Sequence, residues 1–75
     1  MVFHENFKVI AHNLETIDAL QEVLNSHNQL PQFDGHIADY LTELEANFIH
    51  ERLMEMEANG RVLNYDIEDH STIEQ

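Results

Sequence analysis

The chain has no cysteine, no tryptophan, one proline and two glycines in 75 residues. Without cysteine there is no disulfide to brace a small core and no thiolate to hold a metal, and the chain is indifferent to the redox state of its surroundings. Cations are as scarce. Lys8, Arg52 and Arg61 stand against fifteen acidic residues, a formal net charge of −12. Three cations cannot build a basic patch, so phosphate-led binding of nucleic acid and docking on anionic membranes are both disfavoured. No apolar run approaches the ~20 residues of a membrane span, and the opening MVFHENFK lacks the charged-then-apolar order of an export signal. A cytoplasmic protein is therefore expected. No glycine-rich phosphate loop is present, and neither Ser26 nor Ser71 sits in a Gly-x-Ser-x-Gly elbow. The two-motif acidic signature of all-α nucleotide pyrophosphohydrolases is missing too, and the expectation is a protein that is not an enzyme.

Apolar residues make up 43% of the chain, enough for a folded domain. A chain this short buries a marginal core, which association or a metal commonly supplements. The acids are unevenly placed. Residues 1–33 carry four acids and one base; residues 34–75 carry eleven acids and two bases.

Pro31, Gly35 and Gly60 divide the chain into two long segments and a tail. In the first, Phe3, Phe7, Ile10, Leu14, Ile17 and Leu24 recur by threes and fours, the helical period, with Gln21 in the one gap. His4, Lys8, His12, Glu15 and Glu22 fall on the other side. In the second, Ile37, Tyr40, Leu41, Leu44 and Phe48 form one stripe, with Asp34 placed to cap a helix and Gly60 to end it. Asn28 and Pro31 mark the break between them. The expected fold is all-α: an antiparallel helical hairpin with helices at about 4–26 and 35–59 and a short extended tail. Residues 1–67 would be the domain and 68–75 a disordered tail. The alternative is β-α-α-β, with strands near 6–11 and 61–67 and with Asn13 capping a shorter helix from Leu14.

Past Phe48 the apolar stripe moves to Ile49, Leu53 and Met56, while Glu51 and Glu55 take its former place. A hairpin that hands its packing to a second surface in this way suits a homodimer, closed as a four-helix bundle through Ile49, Leu53 and Met56. In plan this resembles the plasmid RNA-binding hairpin Rop, though no motif is shared.

The acidic side of the second helix is expected to bind a basic surface of a protein partner, through Asp39, Glu43, Glu45, Glu55 and Glu57. In type, such chains resemble phage or mobile-element inhibitors, regulators or nucleic-acid mimics that occupy a basic surface. Two alternatives stand beside this one. The chain could be an assembly adaptor that uses its apolar stripe, or a metal-binding bundle with Glu43 and His50 as ligands. The ligand pattern is incomplete, since Asn47 replaces the glutamate of Glu-x-x-His and HERLM lacks the second histidine of HExxH. No metal or other cofactor is therefore expected.

Overall fold

The computed structural model describes residues 1–26 and 32–74. In order they form β1 (Val2–His4), β2 (Phe7–Ala11), α1 (Leu14–Ser26), β3 (Gln32–Phe33), β4 (Ile37–Leu41), α2 (Glu43–Ala58), β5 (Tyr65–Asp69) and β6 (Thr72–Glu74). This is a mixed α/β fold. The all-α hairpin is overturned, and with it the helical bundle and the likeness to Rop. The β-α-α-β alternative fits.

The helical spacing from Phe3 to Ile10 was real as a pattern but is not used as one. Residues 7–11 pair on both sides, with β4 and with β5, in a sheet ordered β3-β4-β2-β5. A strand packed on helices with one face needs apolar side chains only at alternate positions, and a short apolar run does not tell strand from helix by period. Phe7, Val9 and Ala11 face the helices, and Val9 is fully buried. Lys8 and Ile10 face the other way.

Helix α1 begins where Asn13 caps it, the Oδ1 accepting the Thr16 N–H at 2.8 Å. Thr16 is fully buried, and its hydroxyl donates to the same Oδ1 and accepts the Asn64 N–H at 2.7 Å. One hydroxyl thus ties the start of α1 to the chain just before β5.

The second long helix does not start near Gly35. Asp34, Gly35, His36 and Ile37 form the turn between β3 and β4, with Gly35 at φ +103°. The Asp34 carboxylate accepts the Ile37 N–H at 3.0 Å, so it caps this turn rather than a helix. Strand β4 then carries an extra residue against β2. Phe7 pairs with Leu41 and Val9 with Ala38. Tyr40 takes up the bulge at φ +57°, and both Ala38 and Leu41 reach the core.

Helix α2 starts only at Thr42, through a capping box. The Thr42 hydroxyl accepts the Glu45 N–H at 3.1 Å, and the Glu45 carboxylate accepts the Thr42 N–H at 2.9 Å. Glu5, from the segment between β1 and β2, accepts the Glu43 N–H at 2.8 Å, satisfying a further donor of the first turn. The moving stripe now has a simple reason. Residues 37–41 are not helix, so they set no phase for α2. Within α2 the core face is Ala46, Ile49 and Leu53, while Leu44 is 82% and Phe48 39% exposed. Glu51 and Glu55 share that outer side, and Glu55 lies 3.6 Å from Arg52.

Ile49 and Leu53 therefore belong to this chain's own core, packed with Leu20, Val23, Leu24, Val9 and Leu41, and Met56 packs partly buried against it. The stripe expected to meet a second subunit is used within one chain. Of residues 68–75, expected as a disordered tail, 68–69 end β5 and 72–74 form β6, with His70 and Ser71 between them and Gln75 outside the described residues. Asn28 and Pro31 lie outside the described residues.

The register of the outer ladder is continuous. Val2 to His4 face Glu74 to Thr72, and Phe7 to Ala11 face Asp69 to Tyr65, the paired numbers adding to the same value throughout. Strands β1 and β2 are thus one strand interrupted at Glu5 and Asn6, and β5 and β6 one strand interrupted at His70 and Ser71. At the interruption the His70 N–H still donates to the Asn6 carbonyl at 2.8 Å, but the Asn6 N–H turns to the Ser71 hydroxyl at 3.0 Å. The β1–β6 end of this ribbon has no further strand beside it among the described residues.

The phase of α2 can be checked by paired substitutions. Leu53→Ala should cost about 2–5 kcal/mol, as for a buried leucine, and Leu44→Ala under about 0.5 kcal/mol. Urea unfolding of both variants measures this; equal losses would mean that the two faces of α2 are reversed.

Candidate interaction surface

Both helices lie on one face of the four-stranded sheet, packing on β2, and α2 also on β4. The opposite face has no layer over it among the described residues. Side chains alternate along a strand, so this open face takes the even-numbered residues of β2 and β5: Lys8 and Ile10, Asp66 and Glu68. Asp39 of β4 joins them. Lys8 Nζ donates to Asp39 Oδ1 at 2.5 Å across the β2–β4 pair. His12 Nε2 lies 2.7 Å from Asp66, and His70 Nε2 lies 2.7 Å from Glu68. Three carboxylates thus converge with one permanent cation. Ile10 and Ile37 are half-buried between them. Asp34 and Asp39, with Phe33 and Ile37, line an open depression beside β4.

The Lys8 hydrogen bond holds the Asp39 carboxyl below its ordinary range, with burial opposing and the Tyr40 N–H and His70 helping. On β5, the hydroxyl and then the N–H of Ser71 hold Asp69 low as well. Asp69 pairs with Phe7 and so lies on the helix side of β5, while Asp39 is on the open face; each holds its charge to lower pH than an ordinary aspartate.

The five acids expected to share one helix face are not brought together. Asp39 is on the open face of the sheet, across the molecule from α2. Glu45 is engaged in the capping box. Glu43 lies at the start of α2, its N–H bonded to Glu5. Glu55 is on the outer side of α2 beside Arg52. Glu57 lies near Tyr65, whose phenol is pushed up chiefly by burial and further by the Glu57 charge. The assignment rested on one continuous helix, and the strand at 37–41 separates its first member from the rest.

The residues missed are Asp66 and Glu68, which the ladder with β2 places on the open face. Their alternation with Tyr65 and Ile67 was visible in YDIED, but nothing local says which strand they will pair with.

The metal candidates are also apart in function. Glu43 and His50 stand seven residues apart on α2, and His50 Nδ1 lies 3.3 Å from the Tyr65 hydroxyl with the rings edge to face. Among the described residues no three His, Asp or Glu side chains are grouped to hold an ion. None of the helices described is long and apolar enough to cross a membrane.

Away from the open face, Arg61 fastens the segment after α2 to α1, with its Nε 2.8 Å from Glu15 and its Nη1 2.6 Å from Glu22. Both carboxylates raise its pKa, so the cation is permanent.

The Lys8–Asp39 pair makes a signed prediction. The folded pKa of Asp39 lies below its unfolded value. Its contribution to stability is therefore present above the unfolded value and lost as pH falls through the folded one. Wild type should exceed Asp39→Asn in urea midpoint by a constant margin from about pH 5 to 8, closing below about pH 4. A margin that widens in acid would reverse the assignment.

Compared with known protein families, curated proteins and solved structures, the chain matches none.

Proposed function

We propose that this chain is a non-enzymatic interaction protein that binds a basic surface of a protein partner. One observation carries the reading. The uncovered face of the sheet gathers Asp39, Asp66 and Glu68 around Ile10 and Ile37, with Lys8 as the one permanent cation. A face of this kind offers charge for steering and an apolar centre for contact. An inhibitor or regulator that covers the basic surface of a nucleic-acid-binding protein would work in this way. The rest of the chain adds to the attraction at long range, since the net charge is −12.

A second reading, an assembly adaptor with an apolar contact, has an observation of its own. Phe3 and Ile73 face each other on the outer ribbon and are 60% and 58% exposed. Leu44 and Tyr40 are exposed close to the same end, held there by the bonds of Glu43 to Glu5 and of Tyr40 to Asn6. The left-handed backbone of Tyr40 would suit glycine better, yet an exposed aromatic ring stands there. A homodimer could not use Ile49 and Leu53, which are buried in this chain's own core, and this end offers it an exposed apolar surface.

Salt separates the two. Tagged wild type and an Asp39→Asn, Asp66→Asn, Glu68→Gln variant are used to capture partners at about 50 and 500 mM salt. A basic protein held by wild type at low salt, and lost both in the variant and at high salt, is the expected result. A partner kept under all these conditions and lost on Phe3→Ser, Ile73→Ser favours the adaptor.

A further inference from the structure

Strand β5 is the outer strand of the four-stranded sheet, and among the described residues no strand pairs with the edge that faces away from β2. In an antiparallel ladder only alternate residues bond to the neighbour. The His12 N–H donates to the Asn64 carbonyl at 2.8 Å, and the His70 N–H to the Asn6 carbonyl at 2.8 Å. Even-numbered residues are therefore the bonded pairs. It follows that Tyr65, Ile67 and Asp69 turn their N–H and C=O groups outward. On the other side of β2 the same rule places Ala11, whose N–H reaches the His36 carbonyl at 2.8 Å. The open edge of β5 thus has an ordered row of backbone donors and acceptors.

The side chains beside this row have a fixed order. Asp66 and Glu68 lie on the open face of the sheet, and Ile67, 36% exposed, lies between them on the helix side. A strand laid against this edge would meet carboxylates on one face and an apolar side chain on the other. A second copy of β5 is the wrong occupant. Paired antiparallel about Ile67, it would set Asp66 against Glu68 of the other copy, and like charges directly opposite are destabilising. The same geometry accepts a strand with lysine or arginine at alternate positions and an apolar residue between them.

We propose that the β5 edge binds an extended basic segment of a partner as an added antiparallel strand. The backbone of Tyr65, Ile67 and Asp69 holds it, and Asp66 and Glu68 select its cations. This rests on the reading of the chain as a binder of basic proteins and names the mode of contact. The neighbours that face these two carboxylates are His12, Lys8 and His70. Of these only Lys8 is a permanent cation, and it is engaged by Asp39.

The test uses the full chain, labelled with nitrogen-15, and a capped Lys-Val-Lys-Val-Lys peptide. Amide shifts on titration should centre on residues 64–70, and the Ile67 amide should become protected from exchange. A copy of the peptide N-methylated at both valines keeps its charge but loses the donors that face the edge, and should bind about tenfold more weakly or worse. The variant Asp66→Lys, Glu68→Lys should lose the basic peptide and take up Glu-Val-Glu-Val-Glu instead. Equal binding of the methylated and unmethylated peptides overturns the added strand while leaving a charge-led surface in place. Absence of shifts with the basic peptide overturns the edge site, and the salt-dependent capture then decides the broader reading by itself.

Discussion

The first and last segments of the chain must meet, and the rest of the fold depends on that pairing. Residues 2–11 run antiparallel to residues 65–74 in one unbroken register. Among the described residues strand β2 has β4 and β5 on its two sides and packs against both helices. Without it β4 and β5 would have no common neighbour, since they do not pair with each other. The entropy of closing a loop grows slowly with its length, so the long separation is affordable in equilibrium terms. It weighs more on the rate of folding, because contacts this distant are made late.

Several local devices hold the two helices against that strand. Asn13 and Thr42 start the helices at fixed points, just after β2 and just after β4. Thr16 carries the start of α1 to Asn64, and Arg61 carries the segment after α2 to Glu15 and Glu22. These contacts set where β5 enters. Once it enters there, Tyr65 falls opposite Ala11, and the parity of every later residue is decided. A slip of one residue would turn Tyr65 away from the core it packs against and part Asp66 from His12 and Glu68 from His70.

The acid excess is then sorted by the fold rather than spread at random. Some carboxylates serve the fold itself: Glu5 and Glu45 at the start of α2, Glu15 and Glu22 on Arg61. Others stand where no helix covers the sheet. Charges along an edge strand also keep copies of a protein from pairing edge to edge. In β5 Asp66 and Glu68 supply such charges, and the same two side chains would select the basic strand proposed for this edge.

Some of this was determined by the sequence alone. Net charge, the lack of any thiol, the scarcity of cations and the capping potential of Asn13 follow from residue type. Asp34-Gly35 reads as a helix start in the sequence, though the same pair of residues also suits the tight turn that it forms between β3 and β4. The strand pair 6–11 and 61–67 was legible as an alternative, because YDIE alternates and KVIA is rich in β-branched and apolar residues. What only the tertiary structure decided is partnership. The run FKVIA reads equally well as a helix face or a central strand until strands from residues 37–41 and 65–69 flank it. Leu44 and Phe48 look like core until Thr42 starts the helix afresh. Asp39 and Glu43 look like neighbours until a bulged strand sends one to each side of the molecule. Hydrophobic spacing is a local quantity, and pairing between residues some sixty apart in sequence is not encoded in any window short enough to read.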